Sequence, residues 1–131
     1  MQVVVDASVW IGYFTGAATP EIEHLDSLLG QAPIAVPDIV LAEVLQAIPD
    51  EAHRRQAEAA LLKFWLVEVG GLALHRKSVV NYHTLTVRGF QVWPGECLLA
   101  TFCIENQLAL LSSSQGYEPF ERHLGLVVAR G

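Results

Sequence analysis

The feature that most narrows the fold is a series of short, largely apolar runs, each followed by a segment of helical periodicity. Val3-Val4-Val5 is the first and ends at Asp6; Ile34 to Val36, Leu66 to Val69, Ala109 to Ser112 and Leu126 to Val128 repeat the pattern. A strand covered on one face alternates apolar and polar residues, whereas continuous apolar runs of this length belong to strands covered on both. The segments between them carry helix signals. Asp6 or Ser8 opens a short helix over Ala7 to Phe14. Thr19-Pro20-Glu21 combines a capping hydroxyl, a first-turn proline and a first-turn acid, and its helix runs to Leu29 before Gly30. Pro37-Asp38 opens a helix through Ile48, Glu51 to Trp65 is amphipathic, and a long helix follows Gly70-Gly71 to Arg88. Pro94 to Asn106 is a further helix, and Glu118 to His123 a helical turn. Strands alternating with helices predict one α/β domain over residues 1–131: three layers, α/β/α, around a central parallel sheet of four to five short strands.

Composition removes several function classes. Apolar residues make up 52 % of the 131-residue chain and charged residues 17 %, against about 25 % charged in ordinary globular proteins. A disordered chain has the opposite balance. So much apolar surface on one small domain favours self-association, and a homodimer is expected. The best apolar run, Cys97 to Ile104, falls far short of the roughly 20 residues of a membrane span, so no membrane role is expected. No basic segment precedes an apolar one at the N-terminus, and the reading is cytoplasmic. Cys97 and Cys103, on one helix, would lie roughly 9 Å apart along its axis, beyond the reach of about 7 Å that a disulfide allows. They read as core thiols in a reducing compartment.

Charge is unevenly spread. The net charge is −6, and residues 1–50 hold seven Asp or Glu and no Lys or Arg. This distribution excludes a general phosphate-binding surface and suits a metal cation or a basic peptide. In parallel sheets ligands bind beyond the carboxyl ends of strands, where strand order reverses. That rule singles out Asp6 and the segment Ser112 to Ser114, each directly after a strand. Glu43 lies in a helix with apolar residues at 39, 40, 44 and 47, and Glu96 rises from the first turn of a helix above Leu99, Ala100 and Cys103. Each acid has a plainer role open to it: Asp6 as a helix cap, Glu96 beside a helix N-terminus, Glu43 reaching to water. Gathering all three without Lys or Arg is costly unless a cation such as Mg²⁺ or Mn²⁺ compensates.

Four segments in order carry a family resemblance: Val3-Val4-Val5-Asp6-Ala7-Ser8-Val9-Trp10-Ile11, Pro37-Asp38-Ile39-Val40-Leu41-Ala42-Glu43-Val44, Glu96-Cys97-Leu98-Leu99-Ala100-Thr101, and Leu110-Leu111-Ser112-Ser113-Ser114-Gln115-Gly116. Together they resemble the motifs of PIN-domain proteins of the VapC toxin family, over essentially the whole chain. The resemblance implies a PIN-like fold and a metal-dependent endoribonuclease of a toxin–antitoxin pair. It implies Asp6, Glu43 and Glu96 as catalytic residues, Asp6 and Glu96 as ligands of Mg²⁺ (or Mn²⁺), and structured RNA such as tRNA as substrate. It further implies a cognate antitoxin with a basic tail and a dimeric state. Departures accompany it. Glu96 stands where the family normally has an aspartate, one methylene shorter, and the loop before it is a residue shorter than usual. Ser114 and Gly116 stand where the family carries acids. With those acids missing, the resemblance also admits a catalytically impaired protein that binds antitoxin or RNA. Ser8 matches a hydroxyl residue beside the first aspartate, able to hold Asp6 or to cap the helix.

Overall fold

The computed structural model describes residues 1–130; Gly131, the last position of the expected domain, lies outside them. Five strands form one sheet: β1 (Val3–Val5), β2 (Ile34–Pro37), β3 (Trp65–Val67), β4 (Ala109–Leu111) and β5 (Val127–Val128). Their order is β3-β2-β1-β4-β5, and every neighbouring pair is parallel. Seven helices connect them: α1 (Ala7–Thr15), α2 (Pro20–Leu28), α3 (Asp38–Gln46), α4 (Glu51–Leu61), α5 (Leu72–Val87), α6 (Pro94–Glu105) and α7 (Glu118–Leu124). α1 packs on α2 and α3, and α3 on α4; α5 packs on α6 and α7. The expected three-layer α/β/α fold around a parallel sheet is therefore the one observed.

The central strands are buried on both faces, as continuous apolar runs require. Val4, Val5, Ala35, Val36 and Leu110 are fully shielded from solvent. Helix starts follow the local chemistry read from sequence. The Thr19 hydroxyl accepts from the Ile22 amide at 3.2 Å, with Pro20 in the first turn of α2. Asp6, rather than Ser8, caps α1. Cys97 and Cys103 are free and buried, and burial pushes the Cys103 thiol up to about 12, which keeps it unreactive. No helix among the described residues is long and apolar enough to cross a membrane.

Two expectations are corrected at β3. The helix expected through Trp65 ends at Leu61, and Trp65 opens a strand instead, aligned with Ala35 of β2. Pairing with an existing strand outweighs the helical periodicity of residues 62–65, a tertiary effect that local pattern does not contain. β3 is also an edge strand, so Trp65 and Leu66 are exposed rather than covered. With Val79, Val80 and Val87 of α5 they make up much of the exposed bulky apolar surface.

Burial at the sheet centre fixes the strand ends from which the connecting loops leave. Leu110→Ala in β4 removes a fully buried side chain and should cost about 2–5 kcal/mol. Urea unfolding should show a lower midpoint at unchanged slope; an unchanged midpoint would mean that this contact is not part of the core.

Candidate functional site

β1 and β4 are neighbours although β1 also pairs β2, so chain direction across the sheet reverses between them. At this switch point the loops after the two strands diverge and leave a crevice. Val5 is in register with Leu111, and the Asp6 amide donates to the Leu111 carbonyl at 2.8 Å. Asp6 and Ser112 thus leave the sheet side by side. Asp6 Oδ1 accepts from the Ala7 amide at 2.8 Å, and Oδ2 accepts from the Ser112 hydroxyl at 2.8 Å. Capping and site membership coexist in one carboxylate. The hydroxyl that holds it comes from Ser112; Ser8 is exposed on the cleft wall and makes no hydrogen bond to it.

Glu96 enters from the first turn of α6, whose Leu99, Ala100 and Cys103 are buried. Its Oε2 accepts from the Ser114 hydroxyl at 2.6 Å, a distance typical of a charge-assisted bond. Ser114 is bound twice more: its oxygen accepts from the Gly116 amide at 3.1 Å, and its amide donates to Ser112 Oγ at 3.0 Å. Ser112 and Ser114 therefore give one hydroxyl to each of two acids and are tied to each other. The other Glu96 oxygen, Oε1, is buried without a hydrogen-bond partner.

Glu43 projects from the middle of α3. Sequence periodicity placed it among apolar neighbours, and the correction is that the residue is exposed while Val40 and Val44 are buried. Its side chain lies on the polar flank of the helix, against the cleft. The carboxyl is nonetheless held above the ordinary range, first by partial desolvation and then by the charge of Asp6. Tyr117, in the 3₁₀ turn Gln115–Tyr117, is buried at the same place. Burial, together with the charges of Asp6, Glu96, Cys103 and Glu43, drives its phenol far above the usual range and keeps it protonated.

Asp6, Glu43 and Glu96 thus line one cleft of about 650 Å³, with Tyr117, Trp93 and Ser114 on its walls and no Lys or Arg among its lining residues. Among the described residues no three His, Cys, Asp or Glu side chains stand close enough to form a ready-made metal cage. The donor chemistry still suits a hard cation: carboxylate oxygens, uncompensated negative charge and one orphaned buried oxygen, with water completing the shell. Glu118 stays outside, on α7, 3.6 Å from Arg122. The basic residues at 54, 55, 76, 77 and 88 stay outside as well; Arg54 binds the carbonyls of Ile48 and Pro49, and Arg55 pairs with Glu51. Sequence reasoning missed Tyr117, Ser112 as the partner of Asp6, and the fit between Gly116 and Glu96. Ser112 had a signal in its place directly after a strand, and Gly116 and Glu96 had one as departures from the family motifs, though not their mutual fit.

A native carboxyl held above its unfolded range retains its proton when the unfolded chain has released it. That difference favours the native state at low pH, and the advantage is lost as pH rises through the native pKa. Glu43→Gln should therefore raise the melting temperature at pH 7 by about 1–2 °C, since a partly solvated charge pair is worth under about 1 kcal/mol. The gain should vanish at pH 4. A variant no more stable than the parent at pH 7 would remove the repulsion from Asp6.

No protein-family model matches the chain, and no curated protein sequence does. Solved structures do. VapBC2 from Rickettsia felis, bound to a DNA fragment from its promoter, superposes with a TM-score of 0.74 at 16 % identity, covering 98 % of each chain. A toxin–antitoxin complex from Klebsiella pneumoniae gives 0.70 at 16 % identity and 96 % of each chain. VapC20 of Mycobacterium tuberculosis, a Sarcin-Ricin loop cleaving toxin, gives 0.69 at 14 % identity, covering 98 % of this chain and 99 % of that one. At these identities the likeness concerns architecture: the chain has the PIN-like α/β/α fold of VapC and VapBC structures over nearly its full length.

Proposed function

We propose that the chain is a metal-dependent endoribonuclease toxin of a toxin–antitoxin pair, cytoplasmic and homodimeric. The carrying observation is the meeting of Asp6, Glu43 and Glu96, from three separate helix starts or faces, on one cleft without a basic residue. Asp6 and Glu96 would hold Mg²⁺ or Mn²⁺, with water completing the shell. When bound, the ion lowers the pKa of a water and offsets negative charge on the attacked phosphate. Ser112 and Ser114 fix the two acids, so little reorganisation is needed as the ion enters. Glu43, which lines the cleft with its carboxyl held above the ordinary range, would take the proton of the attacking water. Tyr117 stays neutral among the acids and lines the cleft as a potential hydrogen-bond donor to phosphate.

The substrate would be a strand of structured RNA such as tRNA, with the ion supplying the positive charge that the cleft walls lack. An antitoxin with a basic tail would supply the same charge in another form, so that one cleft would suit both partners. A second reading has one observation in its favour. Both Asp6 oxygens and one Glu96 oxygen already accept internal hydrogen bonds, an arrangement stable without metal, as an antitoxin- or RNA-binding module requires.

Incubation with total tRNA and Mn²⁺ separates the two. The nuclease reading predicts discrete fragments that disappear with EDTA and with Asp6→Ala; intact RNA retained by the wild-type chain selects the binding module. Light scattering at micromolar concentration should give twice the chain mass, and a monomer mass rejects the dimer.

A further inference from the structure

The oxygen without a partner, Glu96 Oε1, lies directly over the α-carbon of Gly116, in the volume that a side chain at 116 would occupy. Gly116 has no positive backbone angle, so its conformation is open to any L residue and glycine is not needed for the turn. The atoms that a β-carbon would strike all belong to the Glu96 carboxyl group. That group ends a flexible side chain, so an alanine could be accommodated by displacing the carboxylate while leaving the fold intact. On the other side Ser114 donates to Oε2, and its own oxygen is oriented by the Gly116 amide.

We propose that Ser114 and Gly116 act as one positioning unit for Glu96: the hydroxyl grips one carboxylate oxygen, and the missing side chain leaves room for the other. A glutamate in the first turn has one more rotatable bond than an aspartate, and left free it would lose entropy on meeting a ligand. Contacts on both sides reduce it to one placement with Oε1 unspent. The consequence for a cation rests on the metal-binding reading of the cleft; the placement itself does not. Positions 96, 114 and 116 should therefore change together, and a shorter acid at 96 should release the demand for glycine at 116.

The test has two arms. In metal-free protein, the side-chain carboxyl ¹³C resonance of Glu96 should move in Gly116→Ala and in Ser114→Ala, with melting temperatures near that of the parent; a resonance unmoved in both overturns the proposal. In calorimetric titration with Mn²⁺, Gly116→Ala should weaken binding about tenfold. The same substitution in a Glu96→Asp background should weaken it less than about twofold, since the shorter arm withdraws from position 116. Equal losses in the two backgrounds would assign Gly116 an effect independent of Glu96 and overturn the proposal. A moved resonance in a chain that binds no Mn²⁺ would support the placement and reject only the metal.

Discussion

Parallel pairing of β1 with β4 is the constraint on which the site depends. With Val5 opposite Leu111, the residue after each strand emerges at the same height, and those residues are Asp6 and Ser112. A slip of one position would turn every side chain of the slipped strand to the opposite face and separate the carboxylate from the hydroxyl that holds it. The pairing is secured by side chains with no other place to go: Val4, Val5 and Leu110 are entirely out of water. Hydrophobic burial at the sheet centre and polar geometry at its rim are thus the same fact viewed at two depths.

The rim is electrostatically expensive. Glu43 responds by holding its proton more tightly, and Tyr117 by refusing to give one up. Among the described residues, the relief supplied from within consists of hydroxyl and amide dipoles from Ser112, Ser114 and Ala7. The guanidinium groups of the nearby arginines are committed elsewhere: Arg122 to Glu118 and Arg130, doubly, to Glu121. A cleft built this way selects for whatever brings positive charge from outside, which is the property shared by a divalent ion and a basic peptide.

The legible part of the fold and site is the part set by local forces. Apolar runs placed the strands of the sheet centre, and Thr19-Pro20 and Pro94 marked helix starts, because caps and prolines act within a turn. The parallel sheet also located Asp6 and the Ser112–Ser114 segment, since switch-point loops are a consequence of topology. What escaped depended on partners distant in sequence. Trp65 looked like the end of a helix until β2 was there to pair with it. Glu43 was left between an apolar face and water because periodicity names a face but not its angular limits, and the residue falls just beyond the covered arc. By family resemblance Ser8 was one candidate to hold Asp6, the alternative being a helix cap, yet Ser112 reaches Asp6 from 106 positions away. Gly116 stood out as a glycine where the family carries an acid, but only the packed site shows that the space above it belongs to Glu96.

The proposed chemistry reduces to a doubly charged ion seated between Asp6 and Glu96. Anomalous diffraction from crystals soaked in Mn²⁺ tests that most directly. A single strong peak in the cleft, within about 2.0–2.5 Å of at least one oxygen of each acid, is the predicted result. An empty cleft at millimolar Mn²⁺, or a peak held only by surface carboxylates outside it, would contradict the proposed seat.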